Sequence, residues 1–188
     1  MNLKKTILSL ISAICFVSAL AQTSIDYQPK ALLKTLQKAG ITDVSTVKEL
    51  TLPELKNLQQ TLNGKFFKIE TNNVSQYKYI YVGRVNSCRA GGCSITHSVN
   101  NIGDSEYFDY YILFDKNKTV RVVTVFNYQA THGQEVTAKG WLKQFIGHNG
   151  SEPLKVDKNI DAISGATISV YAITSDIEMK TAILVKLR

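Results

Sequence analysis

One stretch constrains the fold more than any other: Thr119-Val120-Arg121-Val122-Val123-Thr124-Val125-Phe126 is almost wholly β-branched or aromatic. Such side chains crowd the preceding turn of a helix but pack well on a pleated surface, so this run predicts a strand. Asp115-Lys116-Asn117-Lys118 just before it has turn chemistry, and Tyr110 to Phe114 alternates in part, so the two runs predict a hairpin. Tyr77 to Val85 alternates as well. The period of strands begins at Phe66, which predicts a sheet.

Helical signals flank these runs. Residues 29–62 read as helical: Pro29 opens a stretch with Leu32, Leu33 and Leu36 on one face, and Gly40 ends it. Thr46-x-x-Glu49 and Thr51-x-x-Glu54 are capping-box patterns, and Leu52, Leu55, Leu58 and Leu62 continue as a second amphipathic helix. Apolar residues at helical spacing mean core, so this segment is expected to cover one face of the domain C-terminal to it. Ala138 to Ile146 predicts a short helix with Trp141, Leu142 and Phe145 on one face, and a last helix runs from about Ile168 into the 180s. The fold class is α+β, an antiparallel sheet with packed helices.

The N-terminus reads as a targeting signal. Met1-Asn2-Leu3-Lys4-Lys5 is a short basic region, Thr6 to Leu20 is apolar or small, and Ala19-Leu20-Ala21 precedes Gln22 as a cleavage site. The expected division is a leader over 1–21, a helical N-terminal segment over 22–65 and the sheet domain over 66–188. The expected location is outside the cytoplasm, periplasmic or secreted. With 188 residues and 44% hydrophobic content, the chain can bury a real core. Its net charge of +7 is dispersed, without the basic runs of a nucleic-acid groove.

Chemistry concentrates in Asp161-Ala162-Ile163-Ser164-Gly165-Ala166-Thr167-Ile168-Ser169. Physically this is a small-residue turn that delivers a threonine hydroxyl to a helix start. Gly165 admits backbone angles closed to other residues, and free amides with the positive helix end favour a phosphate there. The plainer reading makes Ser164 or Thr167 an N-cap.

The segment resembles the flavinylation motif of FMN-binding domains, an aspartate followed by Ser-Gly-Ala-Thr. Such domains occur in one of the subunits of the sodium-translocating NADH:quinone reductase and in one of those of the Rnf electron-transport complex. The resemblance implies that Thr167 is joined to FMN through a phosphoester, installed from FAD by a flavin transferase that uses Mg2+. Asp161, Ser164, Gly165 and Ala166 would be its recognition context, and Ser169 lies two residues past the matching position. Upstream, Tyr81-Val82-Gly83 is similar to the start of the family's first strand. Thr131-His132-Gly133 stands where the family has a Thr-Pro-Gly loop at the flavin, with His132 in place of proline. Trp141 to Gly147 is similar to the helix ending in Gln-Phe-x-Gly.

Cys88 and Cys93 are the cysteines left after the leader, with Gly91-Gly92 between them. They suit a structural disulfide, a redox-active pair or, with His97, the beginning of a metal site that lacks a fourth ligand. No P-loop, H-E-x-x-H or nucleophile elbow is present, so no catalytic or metal residue is assigned. The resulting expectation is an exported flavoprotein with covalent FMN that transfers electrons as part of an oxidoreductase system. Its partners would be the transferase and a donor and an acceptor protein, with membrane association only through them. The alternatives are a module that binds FMN non-covalently and a secreted thiol–disulfide protein using Cys88 and Cys93.

Overall fold

A computed structural model describes residues 24–51, 62–71, 75–89 and 105–187, with the side chains of Cys88, Arg89 and Ser105 left aside. Five strands form one antiparallel sheet in the order β1-β2-β3-β4-β5: Val47–Glu49, Gly64–Ile69, Tyr79–Arg89, Ser105–Phe114 and Val120–Tyr128. The hairpin turn is set by Asp115, whose side chain accepts from the Asn117 amide at 2.8 Å and the Thr119 amide at 3.0 Å. Three helices accompany the sheet among the described residues: α1 (Lys30–Lys38), α2 (Lys139–Leu142) and the long C-terminal α3 (Thr167–Lys186). The architecture is α+β.

Strand β4 lies between β3 and β5 and is buried on both faces, which is why its sequence alternates only in part. Phe108, Tyr110, Ile112 and Phe114 join the core beneath α3, with Ile173, Ile177 and Leu184 of that helix. Tyr111 and Leu113 face the opposite way, into a second core with Leu32 and Leu36 of α1. Helix α1 ends in a Schellman motif, with the Gly40 amide bonded to Gln37 O at 3.0 Å and the Ile41 amide to Leu36 O at 2.9 Å. The Thr35 hydroxyl meets the Tyr111 hydroxyl at 3.0 Å and pins α1 to the sheet.

Polar groups are buried on each face. Under α3, the Tyr110 hydroxyl donates to Asp176 at 2.6 Å, and Lys180 pairs with the same carboxylate at 2.9 Å. On the other face Arg84 grips Asp109 with two bonds of 2.7 and 3.0 Å, and Asn127 adds a third at 2.8 Å. These three residues are direct register partners across β3, β4 and β5.

The N-terminal segment is less helical than its pattern predicts. Val44–Thr46 is a single 3-10 turn capped by Asp43, and Val47–Glu49 is strand rather than helix. The Thr46-x-x-Glu49 capping box does not form, because Glu49 reaches across to Lys65 at 2.8 Å and Val47 pairs with Ile69. Sheet pairing outweighs the local helical preference. Strand β2 likewise starts at Gly64, inside the segment read as helical. The second helix expected from Leu52 falls on residues 52–61, outside the described residues. The leader and the Cys93 and His97 positions lie outside them too. Among the described residues, no helix is long and apolar enough to cross a membrane.

Candidate functional site

The Asp161 to Thr167 segment is clamped before it turns. The Trp141 indole N–H donates to the Asp161 carbonyl at 2.9 Å, and the Asp161 amide donates to Gln144 Oε1 at 2.8 Å. Gln144 in turn donates to the Trp141 carbonyl at 3.2 Å. Helix α2 and the 3-10 turn Lys143–Phe145 after it thus hold both backbone sides of Asp161 and leave its side chain exposed.

Ser164 and Gly165 then make a tight turn, closed by the Ala166 amide on Ile163 O at 3.1 Å. Gly165 has φ +82°, the left-handed value that the third position of a type II turn requires. Ala166 is the N-cap of α3, and no side chain caps the helix. This corrects the plainer reading of Ser164 or Thr167 as the cap. Ser164 lies too early, within the turn, and Thr167 is already the first helical residue. The cap position itself is apolar because the Ala166 methyl fills a small cluster with Val136 and Val170, bordered by Trp141 and Ile163. Thr167 is therefore left exposed, and its hydroxyl has no hydrogen-bond partner among the described residues. The first turn carries no acidic residue, so the leading amides of a 20-residue helix stand beside it without a carboxylate.

Ser169 proves to be a latch. It is 2% exposed, and its hydroxyl meets Ser87 Oγ at 2.7 Å and Tyr128 Oη at 3.2 Å. The Tyr128 hydroxyl donates to the His132 carbonyl at 2.6 Å, and burial raises its pKa. Gly133 packs against the same point at φ +84°, where an added Cβ would lie 2.6 Å from Ser169 Oγ. The 131–133 loop is therefore brought against the first turn of α3 through Ser169. The Thr131 hydroxyl bonds Glu106, and the His132 side chain is exposed, with the loop held by its carbonyl rather than its ring.

Two members of this arrangement, Ser87 and Tyr128, carry no sequence signal. They sit at the ends of β3 and β5, far from Ser169 in the chain, and only strand register brings them together. Cys88 follows Ser87 at the end of β3, while Cys93 falls outside the described residues. Among the described residues, no group of three or more His, Cys, Asp or Glu side chains has the arrangement of a metal site.

The family model of the FMN-binding domain matches residues 105–178, from the first residue of β4 well into α3. No curated protein matches the chain.

Proposed function

We propose that this chain, which carries a domain of the FMN-binding family, is an exported flavoprotein that holds FMN covalently on Thr167 and serves extracytoplasmic electron transfer. The observation that carries the reading is the contrast between its two candidate hydroxyls. Thr167 is exposed and unpartnered among the described residues, while Ser169 is buried and bonded twice.

The site fits the group. Small residues, Gly165 and Ala166, precede the acceptor, and an uncapped helix start with no acidic first turn suits a phosphate diester. FMN, when bound, supplies redox chemistry that no side chain here offers. The protein's share is attachment and placement. In the transfer, the Thr167 hydroxyl would bond through Oγ1 to the FMN phosphorus of FAD as the pyrophosphate P–O bond breaks, with AMP leaving and the hydroxyl proton passing to AMP or solvent. Trp141 and Gln144 fix the Asp161 backbone, Gly165 makes the turn, and Ser169, Tyr128 and the 131–133 loop lock the first turn of α3. The transferase would supply Mg2+. Export rests on the leader pattern of residues 1–21, and the donor and acceptor proteins belong to the same extracytoplasmic system.

Co-expression with a flavin transferase should add the mass of one FMN less water, and the flavin should survive denaturation. Thr167→Ala should remove that increment entirely, with stability changed by no more than about 0.5 kcal/mol, because the residue is exposed and is not the cap. Ser169→Ala should still be modified. Flavin that leaves on denaturation would favour the non-covalent module. A colourless protein with two free thiols or a redox-active pair at Cys88 and Cys93 would favour the thiol–disulfide reading.

A further inference from the structure

Helix α3 turns Val170, Ile173, Ile177 and Leu184 into the core at 0% exposure and leaves four large apolar residues exposed. Met179 and Val185 lie toward its C-terminal half, and the other two stand beside the acceptor: Ile168 is 42% exposed and Tyr171 is 52% exposed. Of the chain's nine tyrosines, Tyr171 alone is exposed. The others are buried or half-buried, and several make ring, cation or hydroxyl contacts. Tyr171 has no hydrogen bond and no ring contact among the described residues.

Its place in the helix gives it a direction. Tyr171 is four residues after Thr167 and three after Ile168, which puts all three on neighbouring positions of one face. Helical side chains lean toward the N-terminus, so an aromatic residue covers the turn before its own Cα. This spacing directs Tyr171 toward the turn that carries Thr167, on the same side of the helix as Ile168.

We propose that Tyr171, backed by Ile168, is the stacking wall for the isoalloxazine ring of FMN esterified to Thr167. The proposal rests on the covalent attachment proposed for Thr167 and goes beyond it by naming the residue that takes the ring. Aromatic faces favour offset stacking, and tethering turns the contact into an intramolecular one, so a weak contact is well populated. A phenol touching an isoalloxazine quenches its fluorescence, which a leucine at the same position does not.

The test compares flavinylated wild type with Tyr171→Leu and Tyr171→Phe, each counted for bound flavin by mass. Tyr171 is exposed and mid-helix, and leucine is a good helix former, so the variants should fold and load. The readout is flavin fluorescence in the native state divided by that of the same sample after denaturation. Tyr171→Leu should raise this ratio several-fold, and Tyr171→Phe should fall between, since it keeps the ring but loses the phenol. Equal ratios in fully loaded wild type and Tyr171→Leu would overturn the stacking assignment while leaving the covalent reading intact. Wild type that takes up no flavin would overturn both.

Discussion

The two faces of the sheet each bury a charged pair, but the pairs hold different things. Arg84, Asp109 and Asn127 lie on three neighbouring strands, so their bonds fix strand register and nothing beyond the sheet. Tyr110, Asp176 and Lys180 join a strand to helix α3, so their bonds fix where the helix sits. Apolar packing is non-directional, and a helix held by it alone has several near-equivalent seats. Oriented bonds to a buried carboxylate remove that freedom. The helix that presents Thr167 is the one given such an anchor, whereas α1 covers the other face through Leu32, Leu36 and the Thr35 hydroxyl. A charged anchor seats α3, and a neutral hydroxyl pair seats α1.

This contrast is open to direct attack by deleting each carboxylate. Asp176→Ala removes the carboxylate paired with Lys180 and leaves the ammonium, on a side chain 2% exposed, facing the more distant Tyr81 ring at 5.4 Å. The loss should be about 3–5 kcal/mol, read from urea midpoints. Asp109→Ala should cost less, about 2–3 kcal/mol, because the Arg84 side chain is 14% exposed and its guanidinium also lies 3.6 Å from the centre of the Tyr107 ring. Equal losses, or the reverse order, would break the distinction between a helix anchor and a strand register lock.

A smaller change sharpens the comparison at the site itself. Gly133→Ala places a side chain at φ +84° and drives its Cβ against Ser169 Oγ. A left-handed backbone costs a non-glycine residue about 1–2 kcal/mol, and the clash adds to it. Flavin loading on Thr167 should slow by more than this modest loss of stability explains, since the latch is displaced while the acceptor is untouched. Normal loading rates would show that the 131–133 loop contributes stability alone.

What the sequence discloses and what it hides divide along the same physical line. Local chemistry is legible: the β-branched run forms β5, Asp115 makes its turn, and the small-residue segment ends at a helix start. Features that depend on distant partners are not. Thr46-x-x-Glu49 has the letters of a capping box, but the Thr46 hydroxyl bonds Asp43 O at 2.7 Å and Glu49 pairs with Lys65, because β2 lies alongside. The N-cap of α3 departs from its local pattern for a similar reason, since the methyl pocket formed by Val136 and Val170 selects alanine where local preference favours serine. Asp161 stands out as a motif residue, yet its clamp by Trp141 and Gln144 comes from a turn some twenty residues earlier.

The smallest effect concerns His148, on the side of the sheet that α3 covers. Its carbonyl accepts the Val120 amide at 2.8 Å, and its buried Nε2 has no hydrogen-bond partner among the described residues. Burial lowers its pKa below the ordinary 6.5, and the attraction of Glu178, which would raise it, is the weaker influence. The folded chain therefore refuses a proton that the unfolded chain accepts near pH 6.5. This contribution to stability is complete above that pH and is lost progressively as pH falls toward the lower folded value. The urea midpoint of the wild type should decline as pH falls below about 6.5, and His148→Leu should decline less over the same range. Groups common to both proteins cancel in the difference of slopes. Parallel slopes would assign the decline to other groups.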